Sequence, residues 1–594
     1  MSNSALTAFA SRDDLARYGS NGLILFALQM NFGIEDIHSV AASALTDGPD
    51  DKSCDLVYVD RATSCIVLAQ GYFADIPKAS AKASKASDLN AAVSWLLNGK
   101  LEEMPDALRS AAMEVRQALE EDRISSVELW YVHNCPESDN ATREVEQAAS
   151  TAKHLIDSHY SPDSITSIVA REIGRDKLEN WYRRTEVPII VTDEFRVPVI
   201  DGFAERTDKW TSFCTSVPGA WLRQIWLEHE TDLLSPNVRD YLGLVRSEKN
   251  INFGIKKSAR EDASQFWIYN NGLTIVVNEI EIPEDLGLGL TELVVRGLGI
   301  VNGAQTTGTL GTLSDSEASA LPDLRVMVRF VKCQDPDVLR DIVRYNNTQN
   351  KIEAADFRSN DAVQDRLRAE FDSIPEAEYR GGRRGGVRDA IERKKNLIAN
   401  NGAAQALAAF HGRPNLAYND TRLVWTDDAI YAQLFSDRTT ARHIVLCHSL
   451  LRSIEEAKQE IQSTPEAGRT DMQRAAMDYF RRRGSLQVLC AAISASIESI
   501  VGFAIPDRFG VRFSDNCSPR LAAERWSSIV QACLPFAPNL KTACDRDLQN
   551  SEKVRDALAM FAQFIAATRL SNQTLFDSFA DNVQYVGTPV TNSH

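Results

Sequence analysis

Two stretches with polar residues at the ends of apolar runs decide the predicted fold: QFWIYNNGLTIVV (265–277) and GLGIVNGAQTTGTL (297–310). In the first, an aromatic run ends at Asn270-Asn271-Gly272 and a β-branched strand follows. In the second, an apolar strand ends at Asn302-Gly303 and a helix start follows. Amide groups at the ends of buried strands must be paired or must bind something. The two stretches therefore mark a candidate site inside an α/β sheet.

Both motifs have a structural and a functional interpretation. An isolated Asn-Gly is typical of a tight turn, because both residues tolerate positive φ, and Thr306 or Thr307 could simply cap the helix. A strand-to-helix junction also exposes backbone N–H groups that favour an anion or a polar ligand. The predicted ligand-facing residues of the two motifs are Asn270, Asn271, Gly272, Asn302, Gly303, Gln305, Thr306 and Thr307.

Two further segments carry amides and cations. RYNNTQNKIEAADFRSND (344–361) is rich in amide side chains before a predicted helix, and EYRGGRRGGVR (378–388) places arginines among glycines. Guanidinium groups on flexible loops suit phosphate contact, although a solvated loop explains the second segment equally well. The first segment adds the ligand-binding candidates Asn346, Asn347, Gln349 and Lys351. The second adds the nucleic-acid candidates Arg380, Arg383, Arg384 and Arg388.

Composition narrows the class of protein. A chain of 594 residues is long enough for about three or four domains. Its net charge of -17 argues against a wholly basic nucleic-acid binder, since affinity for polyanions depends on Lys and Arg. Ten cysteines without a CxxC pair, and an N-terminus without a secretory pattern, favour a cytoplasmic location. We expect no membrane-spanning helix.

Hydrophobic periodicity predicts an N-terminal α/β unit followed by a second one. CDLVYVD (54–60) and CIVLAQGYF (65–73) alternate like a hairpin, and VELWYV (127–132) adds a strand between predicted helices. Strands interleaved with helices favour layered sheets. The strands LTIVVNEIEI (273–282) and LRVMVRFVKC (324–333) then belong to the second unit.

Past about residue 400 the pattern is almost wholly helical, with Ala-, Leu- and Arg-rich periodic stretches. The sequence therefore predicts an α/β protein with a helical C-terminal region. The predicted domains are residues 1–165, 180–400 and 401–594.

The ordered set of motifs over residues 180–440 resembles the AIPR family, the abortive-infection phage-resistance proteins of bacteria. The resemblance rests on FWIYNNGLTIV, IVNGAQTT, NNTQNKI and the arginine-glycine segment, and an ordered set is more specific than any one motif. It implies a role in anti-phage defence without supplying a reaction. Ala304 departs from the pattern, where many members carry a polar residue.

Members of this family often carry an N-terminal domain similar to the PD-(D/E)XK nucleases. The resemblance implies metal ligands or catalytic residues at Glu35, Asp55 and Gln70, with Glu35 and Asp55 as possible ligands of Mg²⁺. The lysine of the family motif is replaced by Tyr72, which supplies no fixed positive charge near neutral pH. Residues 1–165 are thus expected to be restriction-endonuclease-like, either active or degenerate.

Three functions stay open at this point. The first is a defence protein that binds nucleic acid or a nucleotide and cuts nucleic acid with a divalent metal. The second is an inactive sensor or scaffold that binds DNA, a phage protein or a neighbouring defence protein, with homo-oligomerisation possible. The third is a structural role in which the amides satisfy one another. Arg438 and His443 also have the spacing of HEPN ribonucleases, a pattern common by chance.

Overall fold

The computed structural model shows a mixed α/β protein with a helical C-terminal region, which confirms the fold class predicted from the sequence. Among the described residues, no helix is both long enough and apolar enough to cross a membrane. The structure describes residues 4–34, 36–46, 54–61, 63–76, 78–121, 124–160, 167–186, 189, 191–229, 233–234, 251–284, 286–287, 289–315, 317–335, 338–339, 342, 358, 361–379 and 396–587.

The chain divides into two compact units that each draw on several parts of the sequence. Unit 1 comprises Met1–Ile34, Val59–Leu97 and Ala118–Lys351, and unit 2 comprises Glu35–Tyr58, Asn98–Gln117 and Ile352–His594. The three consecutive domains expected from the sequence remain a prediction.

The described part of the first 186 residues holds a four-stranded sheet and eight α-helices. The strands are β1 (Leu56–Asp60), β2 (Cys65–Tyr72), β3 (Ser126–His133) and β4 (Ser167–Ile173), in the order β1-β2-β3-β4. The helices are α1 (Ser4–Ala10), α2 (Asp13–Ala16), α3 (Asn21–Phe32), α4 (Ile37–Ala44), α5 (Ala83–Asn98), α6 (Asp106–Glu120), α7 (Asp139–His159) and α8 (Arg175–Glu186).

Strands β2, β3 and β4 are parallel. Residues 65–70 of β2 are all buried, as expected of a parallel strand that is covered on both faces. The register places Gln70 opposite Tyr131 and Tyr131 opposite Glu172, so the carboxyl ends of the three strands lie side by side. The sequence predicted β1, β2 and β3, and it did not predict β4.

The second sheet of unit 1 holds the two Asn-Gly motifs. Its strands are β5 (Val191–Val199), β6 (Gly202–Arg206), β7 (Trp210–Pro218), β8 (Leu273–Val277), β9 (Glu279–Glu281), β10 (Thr291–Asn302) and β11 (Arg325–Cys333). The order is β5-β10-β8-β11-β7-β6, with β9 paired to β10, and the described β8–β11 pair is parallel. Nearby helices are α9 (Gly219–His229), α10 (Ile251–Glu261), α11 (Phe266–Tyr269) and α12 (Ala304–Gly311).

Strand β8 lies in the middle of this sheet, and all five of its residues are buried. Because side chains alternate across a strand, Leu273 and Ile275 enter a large core on one face. Val276 enters a smaller cluster on the other face. The partly buried Leu339 and Ile342 pack against that smaller cluster. Both faces of β8 are therefore covered.

Unit 2 is built around long helices with an extensive apolar core. Its later helices are α13 (Ala362–Phe371), α14 (Asn400–Phe410), α15 (Pro414–Asn419), α16 (Thr421–Thr426), α17 (Asp428–Leu434), α18 (Ala441–Ser463), α19 (Asp471–Phe480), α20 (Ser485–Ala495), α21 (Ile497–Val501), α22 (Pro519–Cys533), α23 (Ser551–Ala567) and α24 (Gln573–Ala580). Two small sheets pair β12 (Glu378–Tyr379) with β13 (Leu397–Ile398), and β14 (Val511–Phe513) with β15 (Val583–Tyr585).

Helix α4 is joined to this helical unit by buried ion pairs as well as by packing. The guanidinium of Arg452 on α18 lies 2.6 Å from the carboxylate of Asp36 and 2.7 Å from that of Glu455. All three side chains are less than one fifth exposed. A buried cation between two carboxylates is costly to break, so it fixes the start of α4 against α18.

Candidate functional site

The two Asn-Gly turns touch each other at the ends of neighbouring strands. Asn302, the last residue of β10, lies opposite Thr274 on β8. Gly303 then adopts φ +96°, and a Cβ atom there would lie 2.5 Å from Leu273 Cγ and 3.2 Å from the carbonyl oxygen of Gly272. Only glycine permits this approach of the two backbones. The sequence prediction of one shared site for both motifs is therefore consistent with the geometry.

Asn270 links the first motif to the helix that follows the second. Its Oδ1 accepts the backbone N–H of Gly272 at 2.9 Å, and its Nδ2 donates to Thr306 Oγ1, also at 2.9 Å. Thr307 Oγ1 donates to the carbonyl of Gly303 at 3.1 Å. Thr306 and Thr307 are both buried. These three side chains therefore build the site.

The motif side chains open to solvent are a different subset. Asn271 is exposed and Gln305 is partly exposed. Asn302 is also partly exposed, at the end of its strand. Amide groups both donate and accept hydrogen bonds, so this subset suits a polar ligand and offers no acid, base or nucleophile.

A cation that the sequence analysis missed lies beside these amides. Arg329 on β11 is opposite Thr274 on β8, and its guanidinium donates to Thr274 Oγ1 at 3.0 Å. The row Asn302, Thr274, Arg329 thus crosses three adjacent strands on one face. A signal was present, since Arg329 stands between the apolar residues Val328 and Phe330, but its partner strand could not be read from the sequence.

The other predicted ligand residues cannot be placed. Asn346, Asn347, Gln349 and Lys351, and the arginines Arg380, Arg383, Arg384 and Arg388, lie outside the described residues. The last described residues before Asn346 are Leu339 and Ile342, and both pack on the sheet face that carries Val276.

The predicted metal ligands of the N-terminal domain are only partly described. Glu35 lies outside the described residues. Asp55 precedes β1 and is partly exposed, and its carbonyl accepts the N–H of Thr46 at 3.2 Å. Gln70 is buried within β2. In the described part of the chain, no group of three or more His, Cys, Asp or Glu side chains is arranged to hold a metal ion.

A lysine occupies the neighbourhood of Tyr72. Lys78, on the segment after β2, donates from Nζ to the Tyr72 hydroxyl at 2.6 Å and lies 5.3 Å from the centre of its ring. The hydrogen bond to Tyr72 raises the pKa of Lys78. A positive charge therefore lies beside Tyr72, the residue that stands where the resemblance predicts a lysine.

The carboxyl ends of β3 and β4 carry a buried ion pair that the sequence did not reveal. His133 Nε2 lies 3.0 Å from Glu172 Oε1, and both side chains are almost fully buried. The carboxylate also accepts the N–H of Ser138 and, at 2.6 Å, the hydroxyl of Thr142 at the start of α7. Burial alone would raise the pKa of Glu172, but the hydrogen bonds outweigh it and lower that pKa. The Glu172 carboxylate therefore connects β3, β4 and the start of α7.

Arg438 and His443, which have the HEPN spacing, differ sharply in accessibility. Arg438 is partly exposed and lies 4.8 Å from the ring centre of Phe509. His443 is fully buried, and its Nε2 lies 3.0 Å from Nε2 of His411. Burial lowers the pKa of His443 to about 4. The structure lends no support to His443 as a general acid that reaches RNA.

Comparison with known proteins supports the family resemblance for part of the chain. The family model described as AIPR protein matches residues 234–503, which include both Asn-Gly motifs and extend into the helical region. No curated protein and no solved structure is significantly similar to the chain. The match does not reach the N-terminal domain, so the nuclease resemblance remains a prediction.

Proposed function

We propose that the protein acts in bacterial anti-phage defence and binds nucleic acid or a nucleotide at the junction of β8, β10 and α12. The observation that carries the proposal is the row of Asn302, Thr274 and Arg329 beside the two touching glycine turns. This junction lies inside the region that matches the AIPR model. The role in defence rests on that family alone.

The chemistry of the junction suits a nucleotide. Asn271 and Gln305 offer both donors and acceptors, which is what the edge of a base requires. Arg329 adds a guanidinium, whose planar fork suits a phosphate. Because Asn270 and Thr306 fix each other, the open amides are held on a rigid support rather than on a free loop.

Binding is tested with the paired variant Asn271→Ala/Gln305→Ala. Neither side chain is needed for the Asn270 to Thr306 bond, so the fold should be retained. With single-stranded DNA, RNA and mononucleotides as probes, we expect about a tenfold loss of affinity by fluorescence anisotropy or calorimetry. The matched control is Gln147→Ala, an exposed amide on α7. Unchanged affinity in the paired variant would reject the junction as the binding site.

Arg329→Ala separates a phosphate contact from a base contact. If Arg329 meets one phosphate of a strand, its loss should reduce the slope of log affinity against log salt concentration by roughly one unit. A uniform loss of affinity with the same slope would place Arg329 on a base or on the protein instead.

A second candidate function, cleavage of nucleic acid, is favoured by the contact between Lys78 and Tyr72. Mg²⁺ held by Glu35 and Asp55, with Gln70 nearby, would supply charge stabilisation at the scissile phosphate. The described residues alone do not form such a metal group. Lys78 would offer the cation that Tyr72 cannot. In the alternative, the N-terminal domain is catalytically inactive and the protein is a sensor or scaffold for DNA, a phage protein or a neighbouring defence protein.

Phage DNA, plasmid and RNA incubated with the purified protein in Mg²⁺ or Mn²⁺ distinguish these two candidates. Cleavage that disappears in both Asp55→Ala and Lys78→Ala, and persists in the exposed control Lys100→Ala, would establish a nuclease. Absence of cleavage by the wild-type protein, or cleavage unchanged in Asp55→Ala, would leave only the binding function.

A further inference from the structure

Unit 2 contains a pocket whose titratable lining is entirely basic. It lies between the end of α4, the last turns of α18 and the turn that joins α19 to α20, with a volume of about 460 Å³ that includes its open mouth. Four cationic side chains line it: Lys458, Arg481, Arg482 and Arg483. No carboxylate is among its lining residues. In a chain with a net charge of -17, such a concentration of positive charge calls for a chemical reason.

Two of the four cations are committed to the protein. Arg483 lies 3.3 Å from the carboxylate of Glu114 and donates to the carbonyl oxygens of Ser43 and Val57. Lys458 donates to the carbonyl of Ala42. These contacts fix the walls of the pocket, because α4, α6 and α18 all contribute to them.

Arg481 and Arg482 differ from that pair. Both are partly buried, and the Nε atom of each is shielded from solvent without a hydrogen-bond partner in the described part of the chain. A shielded guanidinium N–H without an acceptor is unfavourable. An anion in the pocket would supply the acceptor that both side chains require.

The first turn of α20 adds further donors. The helix has eleven residues, its N-cap is Gly484 at φ +73°, and no side chain caps it. Ser485, Leu486 and Gln487 of this first turn line the pocket. The uncapped N-terminus of a helix carries partial positive charge and free N–H groups, which favour phosphate. The helix end and the two arginines therefore converge on the same space.

We propose that this pocket binds the phosphate group of a small phosphorylated molecule. Its lining comes from α4, α18 and the turn between α19 and α20, and a recess between packed helices admits a terminal phosphate rather than the backbone of a duplex. Guanidinium groups supply charge-assisted hydrogen bonds to phosphate oxygens. This site is separate from the β8, β10 and α12 junction and does not depend on the function proposed for it.

The proposal is tested on the full chain with ATP, AMP, adenosine and inorganic phosphate as probes, by calorimetry. We expect ATP or AMP to bind, inorganic phosphate to compete, and adenosine not to bind. Arg481→Ala/Arg482→Ala should weaken nucleotide binding at least tenfold. Arg474→Ala is the matched control, since Arg474 lies on α19, just before the two arginines, and pairs with the exposed Asp471; it should bind as the wild type does.

Three results would overturn the proposal: a wild-type protein that binds no phosphate-bearing probe, equal binding by the double variant, or equal binding of adenosine. Nucleotide binding lost in Asn271→Ala/Gln305→Ala, but kept in the arginine variant, would assign the ligand to the central junction and also reject this pocket. If the alanine variant does not fold, Arg481→Gln/Arg482→Gln keeps polar side chains of similar length and gives the same comparison. Saturating nucleotide should also raise the Tm of the wild type by about 2 °C or more, and should raise that of a folded arginine variant by less.

Discussion

Two buried histidines, one in each unit, show how the same side chain serves opposite electrostatic settings. His133 and His443 are both fully buried, and Nδ1 of each faces a backbone carbonyl, of Cys135 at 3.1 Å and of Val511 at 2.8 Å. Their Nε2 atoms differ. That of His133 meets the carboxylate of Glu172, whereas that of His443 meets another imidazole, His411.

The difference matters most for the protonation of His443. Both ring nitrogens of His133 face oxygen acceptors. His443 must accept at Nε2 if Nδ1–H donates to Val511, and Cys447 Sγ also lies 3.4 Å from that Nε2. Burial lowers the pKa of His443 to about 4 and, together with the charge of His443, lowers that of His411. The surroundings of His443 therefore exclude charge, whereas the His133 ring lies against a carboxylate.

Removing the carboxylate of Glu172 should have the largest effect on the free energy of unfolding. Glu172→Ala leaves the buried His133 ring, the N–H of Ser138 and the hydroxyl of Thr142 without their acceptor, and we expect a loss of about 3–5 kcal/mol in the free energy of unfolding. Urea titration with hydrogen exchange over residues 126–173 measures it. The control is Glu146→Ala, an exposed carboxylate on α7. A loss below about 1 kcal/mol would contradict the role of Glu172 as the centre of this network.

Lowering the pH should destabilise the surroundings of His443 before those of Glu172. A histidine whose folded pKa is depressed gives stability that is present above its ordinary pKa of 6.5 and is lost as the pH falls toward about 4. For His443 the expected loss is about 3 kcal/mol. Glu172 also has a lowered pKa, so its contribution is present above 4.5 and is lost only at lower pH.

Hydrogen exchange between pH 7 and 4 should therefore show residues 441–513 loosening before residues 126–173. In His411→Asn/His443→Asn the slope of stability against pH between 6.5 and 4 should flatten. A slope that is unchanged in the double variant would assign the acid sensitivity to other groups.

The smallest effect on the free energy of unfolding is expected from the loss of the Cys447 thiol. Cys447→Ala removes a weak sulfur contact with His443 and a small buried volume, and should cost about 1 kcal/mol in the free energy of unfolding. Thermal unfolding beside Cys490→Ala, another fully buried cysteine on a helix of unit 2, gives the comparison. A much larger loss for Cys447 would mean that the thiol is an essential partner of the two imidazoles.

Local pattern predicted the elements well where periodicity was strong. Strands β2, β3 and β11 lie within one residue of the predicted ranges, because the alternation of apolar and polar residues is a local property. The hairpin of β6 and β7 was not predicted, nor was β4. Their polar, half-exposed sequences carry a weaker signal.

Of the candidate site, only the residues that belong to a recognisable motif could be predicted from the sequence. The two Asn-Gly motifs are recognisable in the chain, and each needs its glycine because Gly272 and Gly303 adopt a positive φ of +78° and +96°. Arg329 and Glu172 were missed because their roles depend on strand pairing, which connects residues far apart in sequence. The pocket lined by Arg481 and Arg482 could not be predicted either, because it depends on α4, more than 400 residues earlier.

The strand order of the second sheet limits how this protein can be divided for experiments. The family match begins at residue 234, after β5, β6 and β7, yet β5 pairs with β10 and β7 pairs with β11 along nine residues. A fragment expressed from residue 234 would leave β10 and β11 with open edges, which recruit other chains and promote aggregation. Work on the isolated family region should therefore begin no later than Val191.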